Sequence, residues 1–387
     1  MNFLPVIQPS GGGGERTNVL PLAALHLRAQ WHPAPVHSFT LPLWYAGTYD
    51  EQQAARERAV IFDRSYLGRF YVTGERAADL LARVFATDTR RIPVGAIRRG
   101  VVCRVDGTIF DIPTLYHLDE GRWFIVSGPR AQTALMEAIE AETHPGHDVE
   151  VRDRLPGSVL LAVHGPEAAQ RLEAVIGQTI PTAVPAGEAH EMLLGGYRAL
   201  VAHHSELGED GYEFLVSPEV GEHLWENALT AGIEPAGLAA YDTMRLEVGV
   251  IEAPTETPPP ATPLHTGLGA LVDLSDPDGS PRAFYGAEAL RQVPATPERV
   301  LVGLRIEGKR LAKRGSRVTT PAIAGGRDIG ACVNAVYSPV LGTGIALAYL
   351  PPGLARVEVD TDGVPQPATV VPLPFFDGPR GASGAGA

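Results

Sequence analysis

The chain has 387 residues, with 32 Lys and Arg against 45 Asp and Glu for a formal charge of −13, and its length suits two or three domains. An acidic surface repels phosphate backbones. The short basic patches at Arg90-Arg91 with Arg98-Arg99 and from Lys309 to Arg314 do not offset it, which excludes a nucleic-acid role. With 44% hydrophobic residues but 43 Gly and 34 Pro, large cores must be assembled from short elements and turns, which rules out long helical bundles.

Near the N-terminus, Met1 to Arg16 lacks a basic stretch leading into an apolar one, and nowhere do 18 apolar residues follow one another, so a soluble, unexported, cytoplasmic protein without membrane contact is expected. Cys103 and Cys332 each lie in an apolar run and read as buried thiols. Gly11 to Gly14 and the closing stretch 378–387 bury too little apolar surface to offset ordering entropy, and we expect tails at both ends.

Helical spacing appears in Asp50 to Ala59 and in Glu75 to Phe85, the latter placing Ala78, Leu81, Ala82 and Phe85 on one face. Arg69 to Thr73, Gly100 to Val105 and Trp123 to Val126 are of strand length and rich in aromatic or β-branched residues, and Ala131 to Ala141 is again helical. The mixture predicts an α+β unit with an antiparallel sheet. A second such unit follows: strands over 158–163, 198–203 and 212–216, and helices over 167–176 and 219–231. The proline-dense stretch Pro254 to Pro263 reads as an extended connector crossing the surface. From Arg299 onward only strand-like runs remain, over 300–306, 332–336, 345–349, 357–359 and 368–371, which predicts a small β-barrel or sandwich.

Phosphate-cradling and serine-hydrolase motifs are missing, and neither His144-Pro-Gly-His147 nor His203-His204 brings the third and fourth ligands that zinc needs. Three acidic or basic stretches remain. Asp111 follows a Val105-Asp-Gly107 turn and the apolar Thr108-Ile-Phe110, at the start of a strand. Burial there raises its proton affinity toward neutrality, as acid–base work requires; alone, an Asp closing a turn is the plainer account. In Gly208-Glu-Asp-Gly-Tyr-Glu213, alternation sends Glu213 and Phe214 to opposite faces. An inward Glu213 needs donors, and a flat heterocycle with a ring N–H beside an amino group supplies two; an exposed hairpin carboxylate is the alternative. Tyr241 to Glu247 reads as a helix with Met244 and Val248 inward and Arg245 and Glu247 on other faces, as in an ion-pair helix.

In order and spacing, these stretches and a set of short landmarks resemble the aminomethyltransferase (T-protein) family of the glycine cleavage system and its folate-dependent relatives, from Leu20 to Phe376. The landmarks are Phe39-Thr-Leu-Pro42, Val60-Ile-Phe-Asp-Arg-Ser65 with Gly68, Asp106-Gly-Thr-Ile-Phe-Asp111, Leu161 to Pro166, Gly208 to Glu213, Met244-Arg-Leu-Glu-Val-Gly249, Ser338-Pro339 with Ile345 to Tyr349, and Pro374-Phe375. The resemblance implies an α+β three-domain cloverleaf around a central folate channel. Its parts are a tail over 1–18; a folate-binding α+β domain over 19–55 and 150–250; a ferredoxin-like α+β domain over 56–149 carrying Asp111; the proline-rich connector over 251–297; a β-barrel over 298–377; and a tail over 378–387.

It implies tetrahydrofolate as cofactor, Asp111 as the catalytic carboxylate, Glu213 on the pterin ring and Arg245 in contact with folate, with Tyr212, Ser127, Arg98 and Glu206 also matching cofactor-lining positions. The implied partner is a small amine or methylated donor, free or on a lipoyl carrier protein. The pattern also departs from the family: Asp106 and Phe110 replace a Gly and an Asp, Arg98 and Glu206 each stand where a tyrosine is common, and Ser127-Gly128 replaces Asn-Ala. The expectation is a folate-dependent aminomethyl- or methyltransferase. Its alternatives are a folate-binding regulatory or assembly protein without turnover, and a specialised tetrahydrofolate-dependent N- or O-demethylase.

Overall fold

The structure, a computed structural model, describes residues 18–143, 148–177, 180–294, 296–308, 310–376 and 378. The His144 to His147 turn, the N-terminal glycine run and nearly all of the C-terminal tail lie outside them. Strand alternation sets the layers. Along Gly68–Thr73 and Arg122–Ser127, Phe70, Val72, Trp123 and Ile125 face the helices Ala77–Val84 and Gln132–Ala141, where they meet Leu80, Leu81, Leu135 and Ile139. Phe124 and Val126 turn the other way, toward a second core. These strands belong to a five-stranded antiparallel sheet in the order Glu150–Asp153, Gly68–Thr73, Arg122–Ser127, Thr114–Asp119 and Ile97–Arg99.

A six-stranded sheet runs Ala189–Leu194, Tyr197–His203, Gly211–Val216, Val159–His164, Val60–Asp63 and Glu234–Pro235, antiparallel except for its last pair. Its outer face packs Val201, Phe214 and Val216 on the helices Ala168–Ile176 and Pro218–Thr230. Its inner face sends Leu160, Leu200, Ala202 and Leu215 against Tyr116, Phe124 and Val126 of the first sheet. The two sheets therefore share one core. Sheet pairing also crosses the boundaries expected at 55/56 and 149/150, because Val60–Asp63 joins the second sheet and Glu150–Asp153 the first. For Val60–Asp63 the physical reason is burial: all four residues are buried, which requires a strand covered on both faces.

The α+β class and the terminal barrel are as expected. Six strands close the barrel in the order Val300–Ile306, Thr343–Leu350, Asp328–Ser338, Arg317–Thr319, Arg356–Thr361 and Val364–Val371. Leu304, Val318, Ala346, Ala348, Val357 and Val359 fill its interior, and Ile345 and Leu347 pack outward on Cys103, Ile109 and Ile251. Both cysteines are free and buried, and burial pushes each thiol up to about 12. The strand expected over 100–105 is only Val102–Cys103, because the backbone N–H of Gly100 turns aside to bond the Pro113 carbonyl.

Two further expectations change. The 254–263 stretch is not a surface tether: Glu256, Thr257, Ala261 and Thr262 are buried, and the segment forms a wall between the sheets and the barrel. The helix Leu238–Glu247 is buried nearly all round, with Arg245 and Glu247 as enclosed as Met244. Glu247 accepts from Gln52 Nε2 at 2.6 Å, Arg56 Nη2 at 2.7 Å and the Ser338 hydroxyl at 2.6 Å, which fastens the barrel to two helices of the α+β body.

The start of this helix is set by Gly237, whose N–H donates to Glu51 Oε2 at 2.8 Å. A Cβ there would lie 2.4 Å from both the carbonyl carbon and oxygen of Leu43, and backbone cannot yield as a side-chain tip does. Gly237→Ala should therefore destabilise the protein by about 1–3 kcal/mol in urea unfolding, more than the roughly 0.5 kcal/mol expected from replacing Gly by Ala at an N-cap alone.

Candidate functional site

A cavity of about 490 Å³ opens where the two sheets, the 250–255 segment and the barrel meet. Its apolar walls include Val36, Leu67, Val126 and Leu238; its polar ones include Arg64, Arg99, Asp111, Ser127, Glu206, Asp242, Arg245 and Asn334. A concave mixture of apolar wall and few polar groups is the usual form of a small-molecule site.

Asp111 ends the strand Ile109–Asp111 rather than beginning one. Its carboxylate accepts from the Gly128 N–H at 3.1 Å and from its neighbour Ile112, yet burial outweighs both bonds and raises its pKa to about 6. Ser127 Oγ, buried against Gly68, has no hydrogen-bond partner among the described residues. Gly68 leaves the space, since a Cβ there would stand 2.4 Å from that oxygen. Phe110, in place of an Asp, lies under the Arg104 guanidinium 5.3 Å from the ring centre, and Asp106 closes its turn by accepting from the Thr108 N–H at 3.0 Å.

Arg245 lines the cavity but is already held. Its guanidinium grips Glu256 through two bonds of 3.1 and 2.9 Å and Asp242 at 2.6 Å. Glu256 also takes Asn334 Nδ2 at 2.7 Å. Burial pushes Asp242 up to about 6, with Arg245 only partly opposing it.

At the inner end, Asp63 accepts the Ser65 N–H at 2.8 Å and lies 2.8 Å from His26 Nε2, which fixes the turn that sends Arg64 inward. Arg64 Nη1 donates to both Glu206 and Glu213, the latter at 3.0 Å. Glu206 also accepts from the Tyr241 hydroxyl at 2.6 Å. Glu213 accepts from the Tyr116 hydroxyl and lies 3.6 Å from His204 Nδ1. Burial alone would raise both carboxyl pKa values; Arg64 holds Glu206 down to about 2, and His204 with Arg64 lowers Glu213. Burial would lower His204 too, but Glu213 outweighs it and raises it. His204, Glu206 and Glu213 bring ligand atoms within 4.8 Å of one another. A guanidinium already joins the two carboxylates, so the group is an ion-pair network and not a cation cage.

Of the residues expected from sequence, Asp111, Ser127, Glu206 and Arg245 line one cavity, and Glu213 stands just behind it against Arg64. Two do not join them. Arg98 points outward between the inward Ile97 and Arg99, bonding its neighbour's carbonyl at 2.9 Å, and Arg99 lines the cavity instead. Tyr212 faces the outer core, stacks on His203 with 4.5 Å between ring centres and donates to Asp210 at 2.8 Å. Strand alternation decides both positions. Sequence reasoning missed Arg64, Arg99, Glu256 and Asn334; the usable signals were the Asp63-Arg64 charge pair directly after the apolar run Ala59 to Phe62 and the parity of Arg99 with Ile97.

Residues 23–276 match the GCVT N-terminal domain, and residues 299–377 match the glycine cleavage T-protein C-terminal barrel domain. The chain belongs to the glycine cleavage T-protein family. It is similar to the aminomethyltransferase of Streptomyces coelicolor, with 36% identity over 352 residues covering 87% of this chain and 91% of that one. It is also similar to the aminomethyltransferase of Nostoc sp., with 32% identity over 366 residues covering 92% and 95%. The crystal structure of glycine cleavage system aminomethyltransferase T from Bartonella henselae superposes with a TM-score of 0.83 at 25% identity, covering 93% of this chain and 98% of that one. Within this T-protein family member, Asp111, Ser127, Glu206 and Arg245 line the cavity.

Because burial raises Asp111 above the usual 3.8, the folded protein holds this proton more tightly than the unfolded chain does. Its favourable contribution is complete below about pH 4 and is lost as pH rises through about 6. Urea unfolding from pH 4 to 8 should show Asp111→Asn gaining on the wild type across that window by up to about 3 kcal/mol. A pH-independent difference would mean an ordinary carboxyl.

Proposed function

We propose that this T-protein family member passes a one-carbon unit, aminomethyl or methyl, between a small amine or methylated donor and tetrahydrofolate held in the central cavity. The observation that carries the reading is a buried Asp111 carboxyl, tuned to about 6, in the wall of a cavity of about 490 Å³. The residues present fit a flat polar cofactor: Leu67, Val126 and Leu238 offer apolar faces, and Arg64, Glu206 and Asp111 offer polar groups around them. Tetrahydrofolate, when bound, supplies the nucleophilic nitrogen that takes up the carbon unit.

The chain's own part is positional and protonic. The Gly128 N–H fixes the Asp111 carboxylate, which is mostly ionised at pH 7 yet basic enough to hold or accept an amine proton at the cavity wall. Arg245, locked by Glu256 and Asp242, keeps the opposite wall in place. An aminomethyl group on a lipoyl carrier protein is the donor form we favour, in line with the aminomethyltransferases this chain resembles. A cytoplasmic setting belongs to the same proposal; among the described residues no helix is long and apolar enough to cross a membrane.

A second reading, a folate-binding protein without turnover, draws on Phe110 standing where the family carries an Asp. Calorimetry with tetrahydrofolate, together with mass spectrometry of the folate after incubation with lipoyl-bound aminomethyl and methylamine donors, separates the two. Binding with transfer supports the transferase, binding without transfer supports the second reading, and no binding removes both. For the transferase, Asp111→Asn should lower kcat by roughly 10²–10⁴-fold while tetrahydrofolate affinity changes by less than about threefold. Wild-type kcat/KM should rise with pH through about 6 as Asp111 ionises, a limb that the Asn variant lacks.

A further inference from the structure

Glu213, which the family pattern puts on the pterin, does not reach the cavity in this chain. Strand Gly211–Val216 points it with Leu215 toward the first sheet, and it is only 3% exposed. Both of its oxygens are taken: one by Arg64 Nη1 at 3.0 Å, the other by the Tyr116 hydroxyl, with His204 Nδ1 at 3.6 Å. Arg64 lies between Glu213 and the cavity, its guanidinium 4.5 Å from the centre of the Tyr241 ring. The groups that meet the cavity here are Arg64 and Glu206.

Each has unused capacity. Glu206 Oε1 accepts from Arg64 and from Tyr241, and Oε2 has no protein donor among the described residues. Arg64 donates only through Nη1; Nε is buried without a partner, and Nη2 makes no hydrogen bond among the described residues. A free carboxylate oxygen beside free guanidinium donors complements a ring N–H beside a ring carbonyl, the lactam edge of a heterocycle. A lone carboxylate would instead suit two adjacent donors.

We infer that in this chain Arg64 and Glu206 together read the lactam edge of the bound pteridine, Arg64 donating to the ring carbonyl and Glu206 accepting from the ring N–H, while Glu213 is a positioning residue one layer behind that fixes Arg64. The inference rests on the folate reading and deepens it, by naming which ring edge is selected and by which residues. Burial of the cluster makes the selection sharp, because a ligand group of the wrong polarity leaves an enclosed charge unpaired.

Calorimetry on the full-length protein tests it with tetrahydrofolate and its 4-amino-4-deoxy analogue, in which an amino group replaces the ring carbonyl. The wild type should prefer the oxo form by about tenfold or more. Arg64→Met should shrink that preference to less than about threefold, and Glu206→Gln should weaken tetrahydrofolate more than the analogue, whose corresponding ring nitrogen carries no hydrogen. Glu213→Gln should weaken binding but keep the preference, since Arg64 remains. Should Arg64→Met fail to fold, Arg64→Gln keeps a hydrogen-bonding head group toward the two glutamates but can turn either its oxygen or its nitrogen to the ring, and it should likewise lose the preference. A preference abolished by Glu213→Gln but untouched in both Arg64 variants overturns the inference and leaves the folate reading intact. Failure of the wild type to bind either pteridine overturns the folate reading and the inference with it.

Discussion

Arg245 and Glu256 face each other inside the protein through two hydrogen bonds, and most of what surrounds the cavity depends on that contact. One partner sits on the helix Leu238–Glu247 and the other on the proline-rich segment, while Asn334 of the barrel donates to the same carboxylate. A buried charge left without its partner costs several kcal/mol, so the segment cannot lift away from the helix cheaply. The barrel is held by the same logic two residues further on, where Glu247 collects Gln52, Arg56 and Ser338.

Burying so many charges is an inefficient route to stability, since apolar replacements often do as well. What it provides is a cavity whose polar walls are stiff before any ligand arrives. Arg64, Arg245 and Glu206 each have partners that set their direction, and side chains already fixed lose little entropy when a ligand binds. Asp111 is the exception among them. It has two backbone donors and, among the described residues, no ion pair of its own, and burial outweighs those donors so that its pKa moves toward neutrality, as it also does for Asp242 beside Arg245.

The regular elements were largely legible from residue spacing: the helices at Gln132–Ala141 and Pro218–Thr230, the strands at Gly211–Val216 and Val300–Ile306, and the loss of helices toward the C-terminus all follow local patterns. The family resemblance likewise led to Asp111, Ser127, Glu206 and Arg245, which meet in one cavity. Arg98 and Tyr212 were misplaced for a common reason. A motif match identifies a neighbourhood, whereas the two-residue period of a strand decides which neighbour faces the ligand.

By itself the sequence determined the α+β class and the terminal barrel, because each is a local matter of period and turn chemistry, while the family resemblance, and not residue type alone, singled out Asp111. Tertiary structure alone decided that Val60–Asp63 and Glu150–Asp153 exchange sheets, that the proline stretch becomes a cavity wall, and that Arg64 stands in front of Glu213. Those outcomes depend on which distant groups share a buried volume. Desolvation makes each enclosed charge seek a partner wherever the fold supplies one, at any separation along the chain.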